Sequence, residues 1–303
     1  MTYLRSTDLF DRGPIKGWLP WGVLAPFLGL AFVVASQLAG IPLIAPLVAL
    51  DPLGNPLDAL ALFAYTLVPF GLLGLVVLAW VRFVERRSFA SIGLRGDSKP
   101  KVFAWGHAIG MLSILGIVAS LWLADGLHRT GEPTAWSSHA WLASIGLLLI
   151  GFAVQSSVEE LLFRGWLFSV LAKKFSVLVG VIVSSLLFAL LHFSRGEPWL
   201  VNVCDLAFGV FACAWALRYR SILGVMGWHA GWNWLMAVGF GLPLTGIDVG
   251  TPALLVDLQA AGPAWLTGGA EGPEGSVVCL AYCVLATAWL LLWPKHSEPA
   301  KTD

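Results

Sequence analysis

Long apolar stretches separated by short polar ones dominate the chain. A helix needs about 20 apolar residues to cross a hydrocarbon core of ~30 Å, and eight stretches approach that length. Their approximate bounds are 20–40, 58–82, 102–124, 140–172, 175–193, 198–217, 221–240 and 276–293. The pattern predicts an all-α fold, a polytopic transmembrane helical bundle of about eight spans. No internal repeat or long linker divides it, so we expect residues 1–303 to form a single integral-membrane domain.

Composition agrees with this prediction. Charged residues make up 12% of the chain and hydrophobic residues 58%, whereas about 25% of a soluble domain is charged. This excludes a soluble globular enzyme and makes the lipid bilayer the expected surroundings. The formal net charge is +0, which gives no support to a nucleic-acid partner.

The positions of Lys and Arg predict the topology. Most of them fall before the first span or in alternate gaps thereafter: Arg5, Arg12, Lys16, Arg82, Arg86, Arg87, Arg95, Lys99, Lys101, Lys173, Lys174, Arg218, Arg220, Lys295 and Lys301. The other gaps contain only Arg129 and Arg195, and Arg164 lies inside a span. Because positive loops stay on the cytoplasmic side, both termini are predicted to be cytoplasmic.

A charge inside a span is costly and therefore suggests function. The first such pattern is Glu159-Glu160-Leu161-Leu162-Phe163-Arg164. On a helix, Glu160 and Arg164 are i,i+4 neighbours that can pair, and Glu159 is turned about 100° away from Glu160. One carboxylate would be neutralised, and the other would be left to act as a general base. The alternative is that both carboxylates belong to one structural ion network.

Two further patterns follow on later spans. Phe188 lies one turn before His192 and can fix its imidazole by packing, although the histidine can also be purely structural. His229 and Asn233 are also i,i+4 neighbours, and together they could donate two hydrogen bonds to an oxyanion. Alternatively, they could bond to each other and serve only packing. On the sixth stretch, Asn202 and Asp205 are i,i+3 neighbours that could complete the polar network.

These residues can share one site only if their helices bring them to the same depth in the membrane. At 1.5 Å per residue, Glu159, His192 and His229 lie at depths that spread over about 14 Å. The fourth stretch is also too long for one perpendicular span. A shared site therefore requires a tilted or broken helix.

The order EExxxR, FxxxH and HxxxN on successive apolar stretches resembles the CPBP family of intramembrane proteases. This family comprises CAAX proteases and bacteriocin-processing enzymes, is related to the CAAX prenyl endopeptidases, and its bacterial members are often labelled abortive-infection proteins. The resemblance covers a core of about 140–240. It implies an intramembrane endopeptidase that hydrolyses a peptide bond in or near the bilayer.

The resemblance also implies roles for residues of this chain. Glu159 would activate water with help from His192, and His229 and Asn233 would bind the oxyanion. Glu160, Arg164 and Phe188 would be supporting residues. Glu159, His192 and His229 could also bind Zn²⁺ or another divalent metal, so a metalloprotease and a metal-free, glutamate-dependent protease both stay open.

Other functions and substrates also stay open. A transporter or channel could use a buried Glu/His/Asp proton relay, although no inverted repeat is visible. A non-catalytic immunity or scaffold protein could have the same fold. A prenylated peptide, a bacteriocin leader and a membrane-protein tail all fit as substrates, and the composition suits a bacterial plasma membrane.

Overall fold

A computed structural model describes residues 10, 15–96, 98–193, 198–248 and 250–293, which are mostly helical. The helices are α1 Ala25–Ile44, α2 Ala59–Ala79, α3 Lys99–Leu123, α4 His139–Glu160, α5 Phe168–Lys174, α6 Val177–His192, α7 Trp199–Tyr219, α8 Leu223–Gly239, α9 Ala264–Thr267 and α10 Val277–Leu292. Two short strands, β1 Leu127–Gly131 and β2 Asp257–Ala260, pair antiparallel. The apolar periodicity did not predict this pair, which lies between helices.

Each predicted apolar stretch coincides with a helix to within a few residues. By length and composition, five helices can cross a membrane: Ala25–Ile44, Ala59–Val84, Lys99–Leu123, His139–Lys174 and Trp199–Tyr219. The apolar helices α6 and α10 are shorter, and α8 has 17 residues. The count of about eight spans and the cytoplasmic termini therefore stay predictions. Five residues of the topology argument, Arg5, Arg12, Arg195, Lys295 and Lys301, lie outside the described residues.

Polar side chains fix where several helices begin. At the start of α2, α4, α6 and α10, an Asp or Ser side chain accepts a hydrogen bond from a backbone N–H of the first turn. Such caps satisfy donors that have no partner within the helix. The capping residues are Asp58, Ser138, Ser176 and Ser276.

The fourth helical stretch does not break. Directly after Glu160 it changes to a π-helical segment, Leu161–Leu167, and then continues as α5. Such wide turns are rare and are found frequently at functional sites. Every residue of the π segment is buried, so it lies in the core of the bundle.

Helix α8 is the centre of the bundle. All of its residues except Trp234 are buried, as expected for a helix that is apolar on every side. It packs on α3 through glycines: a Cβ added to Gly106, Gly110, Gly227 or Gly231 would overlap backbone atoms of the facing helix. Small residues let membrane helices approach this closely, and this contact fixes the position of α8.

The outer faces of the helices are strongly apolar. Large side chains that are more than half exposed include Leu38, Leu75, Leu112, Leu186 and Leu285. Soluble proteins rarely expose apolar patches of this extent, whereas lipid chains would cover them. This surface agrees with the five helices of membrane-spanning length.

Candidate active site

A cavity of about 480 Å³ lies between α1, α2, α4, α6, α7 and α8. All four residues predicted to be catalytic line it: Glu159, His192, His229 and Asn233. Most of the remaining wall is apolar, with Leu62, Phe70, Phe152, Phe163 and Phe208 among its members. The three sequence patterns therefore converge on one space, as a shared site requires.

The predicted pair of Glu160 and Arg164 forms. Arg164 Nη1 lies 3.0 Å from Glu160 Oε1, and both side chains are fully buried. The guanidinium also lies over the ring of Phe188, 4.3 Å from its centroid. A buried charge needs a partner, and each side chain of this pair supplies one to the other within an apolar core.

His229 contacts both carboxylates. Its Nδ1 donates to Glu160 Oε1 at 2.9 Å, and its Nε2 lies 3.8 Å from Glu159 Oε2. The first contact fixes the ring orientation and the tautomer, because a carboxylate accepts the Nδ1 proton. The second distance is too long for a direct hydrogen bond but short enough for one water molecule to contact both atoms.

The two glutamates differ in environment. Glu159 lines the cavity, whereas Glu160 lies behind His229 and is 0% exposed. Glu159 was expected to face away from Glu160, and its side chain does reach the cavity while that of Glu160 does not. Both carboxylates nevertheless contact the imidazole of His229. Glu159 Oε2 is buried and has no hydrogen-bond partner among the described residues, which leaves it available to a molecule in the cavity.

One alternative was that His229 and Asn233 bond to each other, and they do not. Asn233 Nδ2 instead contacts Gln155 Oε1 and Ser156 Oγ, each at 3.2 Å. Both of these partners lie on α4, one turn before Glu159 and Glu160. The HxxxN pattern of α8 is therefore attached to α4 through two separate polar contacts.

His192 occupies the end of α6. Its Nδ1 donates to the backbone oxygen of Phe188 at 2.9 Å, and the two rings have centroids 4.3 Å apart. The predicted packing of Phe188 against the imidazole is thus present. Because Nδ1 carries the donated proton, Nε2 of the neutral ring is an acceptor on a side chain that lines the cavity.

Several uncharged polar residues of the site were not predicted from the sequence. Gln155 of α4, Gln37 of α1 and Tyr65 of α2 line the cavity, and Ser156 of α4 contacts Asn233 from behind the wall. Their one available signal was a polar side chain within an apolar stretch. Of the pair Asn202 and Asp205, only Asp205 lines the cavity.

The loop after α8 closes one side of the cavity. Glu274 Oε1 accepts from Trp232 Nε1 at 2.9 Å, and Oε2 accepts from Thr245 Oγ1 at 2.9 Å and from Thr245 N at 3.1 Å. Thr245 and Glu274 both line the cavity. One carboxylate thus ties the loop to α8 between the two residues of the HxxxN pattern.

A second buried ion pair lies just beyond α2. Glu85 Oε2 is 3.1 Å from Arg87 Nε, and Glu85 Oε1 accepts from Trp80 Nε1 and from Trp166 Nε1. Arg87 Nη2 donates to Ser169 Oγ at 2.9 Å. Burial raises the pKa of Glu85, and Arg87 and the two indoles partly offset this. The pair connects the segment after α2 to the π segment and α5.

Comparison with known families identifies the region that carries the site. Residues 139–235 match the family model of the type II CAAX prenyl endopeptidase Rce1-like proteins. This part of the chain is similar to the Rce1-like family of CAAX proteases. The match confirms the resemblance to CPBP proteases. A search of curated proteins and a search of solved structures each gave no significant match.

The Rce1-like region contains every residue of the three sequence patterns, from Glu159 to Asn233. The other walls of the cavity, including Gln37, Tyr65 and Glu274, come from outside it. Together with the apolar helices, the match identifies an integral membrane protein.

The possible metal ligands do not form a complete set. Among the residues that the structure describes, no group of three or more His, Cys, Asp or Glu side chains is arranged to hold a metal ion. Glu159 and His229 approach each other, but His192 is not grouped with them. Metal dependence therefore stays a question for experiment, and the chemistry below uses protein groups alone.

Proposed function

We propose that the protein is an intramembrane endopeptidase of the CAAX type that hydrolyses a peptide bond in or near the bilayer. The observation that carries the proposal is the position of His229, between the buried Glu160 and the cavity-lining Glu159. This arrangement lies in the region that matches the Rce1-like family. It supplies a carboxylate and an imidazole that one water molecule can contact together.

Hydrolysis begins with Glu159. Its Oε2 takes a proton from water while the water oxygen attacks the carbonyl carbon of the peptide. His192 presents an acceptor nitrogen to the same cavity and orients the water. Asn233 faces the oxygen on which negative charge develops. His229 donates its Nδ1 proton to Glu160, so its Nε2 contacts the attacking water beside Glu159 and not the oxyanion. The carbon–nitrogen bond then breaks, and Glu159 returns its proton to the leaving amine.

Glu160 and Arg164 act on this chemistry through His229. Glu160 holds the Nδ1 proton of His229, so Nε2 is turned toward Glu159. Arg164 balances the charge of Glu160 in a place that is closed to solvent. Glu160, Arg164 and Phe188 are therefore assigned as positioning residues in this proposal.

The mostly apolar cavity wall favours a substrate with an apolar segment. The family description suggests a prenylated peptide that ends in a CAAX sequence, and a membrane-protein tail or a bacteriocin leader would also present apolar residues. A bacterial plasma membrane is the proposed location.

The test uses the full-length protein in lipid nanodiscs with prenylated and unprenylated CAAX peptides, a bacteriocin leader peptide and a single-span peptide. Products are identified by mass spectrometry. We expect Glu159→Gln to abolish cleavage while the protein stays folded, because the amide cannot take a proton. Glu132→Gln, at an exposed surface position, serves as the control and should cleave like the unchanged protein.

Cleavage by Glu159→Gln at the unchanged rate would refute the assignment of the base. A second preparation places the same protein in sealed lipid vesicles. If every peptide stays intact and the vesicles instead show Glu159-dependent proton transport, the transporter alternative is correct. Elemental analysis of the active preparation, with and without a strong chelator, decides the metal question. Loss of activity on chelation and recovery with Zn²⁺ would replace the metal-free mechanism.

A further inference from the structure

Gln155 lies on the same face of α4 as Glu159, one helical turn earlier, and lines the cavity. Its side-chain oxygen is fully engaged: Oε1 accepts from Asn233 Nδ2 at 3.2 Å and from Ser156 Oγ at 3.1 Å. The reverse orientation of this amide would set Nε2 against Asn233 Nδ2, which is also a donor. With Asn233 and Ser156 both donating to Oε1, the Nε2 end of the Gln155 amide is the end left to the cavity.

The other end of the amide carries two N–H groups. Among the described residues, Gln155 Nε2 has no hydrogen-bond partner. An amide nitrogen without a partner is costly when it is removed from water, so the fold keeps it where a molecule in the cavity can reach it. This is the state expected of a donor that is prepared for a ligand oxygen.

The Nδ1 protons of the two histidines in the cavity are already committed. The Nδ1 proton of His229 goes to Glu160, and the Nδ1 proton of His192 goes to the backbone oxygen of Phe188. Asn233 Nδ2 faces two acceptors that lie 3.1 Å apart. An oxyanion needs donors aimed at it before the reaction occurs, and the predicted His229–Asn233 pair supplies few that are uncommitted.

We propose that Gln155 is a further catalytic residue, whose Nε2 donates a hydrogen bond to the oxyanion of the tetrahedral intermediate. The proposal rests on the proposed endopeptidase function. Gln155 and Glu159 are separated by about 6 Å along the helix axis, so a peptide carbonyl can lie between base and donor. No proton leaves Gln155 during the reaction; its hydrogen bond strengthens as charge develops on the oxygen.

Asn233 acquires a second role in this scheme. Its amide holds the Oε1 end of Gln155, and Ser156 adds a second donor to the same atom. The HxxxN pattern would then contribute to oxyanion binding both directly and by fixing Gln155.

The test compares two variants of Gln155 in the nanodisc cleavage assay. Gln155→Met removes the amide with little change in volume. Gln155→Glu keeps an acceptor for Asn233 and Ser156 but replaces the Nε2 donor by an oxygen. Loss of one oxyanion donor typically lowers kcat about 10²–10³-fold, and we expect losses of this size in both variants with KM little changed. Ser156→Ala, which leaves the Gln155 amide intact, should lose much less.

A double-variant cycle with Asn233→Ala separates donation from positioning. In the Asn233→Ala background, Ser156 Oγ still donates to Gln155 Oε1 and holds the amide. If Gln155 donates directly, Gln155→Met therefore still lowers kcat in that background. If that loss disappears there, Gln155 acts only by orienting Asn233, and the proposal is overturned. Unchanged kcat in Gln155→Glu and Gln155→Met would also overturn it, and Gln155→Glu decides alone if the Met variant does not fold.

The two proposals fail in different ways. Cleavage that depends on Glu159 and is indifferent to Gln155 refutes this inference and leaves the endopeptidase intact. Absence of Glu159-dependent cleavage from the whole peptide panel removes the basis of both.

Discussion

The fully buried Arg164 offers the sharpest test of how the site is held together. Arg164→Met keeps the length and apolar character of the side chain but leaves Glu160 buried without its cation. Removing one partner of a buried ion pair costs about 3–5 kcal/mol, because the remaining charge is uncompensated. The hydrogen bond from His229 to Glu160 stays, so we expect the lower part of that range.

The second change separates charge from packing. In Arg164→Met with Glu160→Gln, no charge is left behind, and Gln can still accept the Nδ1 proton of His229. We expect the double variant to recover most of the lost stability. Unfolding free energies measured by reversible SDS titration in mixed micelles give the comparison. Arg129→Met, at an exposed ion pair, is the control and should cost less than about 1 kcal/mol.

Equal destabilisation of the single and double variants would refute this reasoning. In that case the loss would come from the guanidinium above the Phe188 ring, a contact worth about 2 kcal/mol when desolvated. The uncompensated carboxylate would then contribute little.

Two further predictions concern the packing around the site. Gly231→Ala should lower the stability by about 1–3 kcal/mol and also lower the cleavage rate, because the added Cβ would overlap the backbone of α3 at His107. The control is Gly116→Ala on α3, where a Cβ meets nothing within 4 Å, and it should change neither quantity. Equal effects of the two variants in thermal unfolding would contradict the close-packing argument. Burial raises the pKa of Glu85 above its ordinary 4.5, and the guanidinium of Arg87 lowers it in part. Arg87→Met removes that guanidinium. Because the folded-state pKa then lies above the unfolded-state value, stability should be greatest below 4.5 and fall as pH rises through the folded-state pKa. Adding Glu85→Gln should abolish that pH dependence of the thermal unfolding temperature, and its persistence would exclude Glu85 as the titrating group.

The sequence predicted the helices well because a bilayer imposes a simple rule. Every backbone group in lipid must be paired within its own segment, so each apolar stretch of sufficient length forms a helix. The charged residues of the site could also be recognised, because a charge within an apolar stretch is costly and therefore suggests function. Glu160 and Arg164 could be paired by spacing alone, since i,i+4 neighbours face each other.

Contacts between distant helices were not predictable in this way. The bond from His229 to Glu160 joins α8 to α4, and spacing within one helix carries no information about it. Gln155 was missed because an uncharged amide in an apolar stretch is cheaper than a charge and therefore a weaker signal. The π segment was missed because its residues, Leu161–Leu167, have the same apolar pattern as the turns on either side.

The glycine contact between α3 and α8 also has a meaning in the order of biosynthesis. A chain is synthesised from its N-terminus, so α3 and α4 exist well before α8. Throughout that interval the nascent protein contains Glu159 but neither His229 nor Asn233. These two arrive only when α8 is made and its glycines dock against α3. An unfinished chain therefore lacks His229 and Asn233, and the site is completed among the last events of assembly.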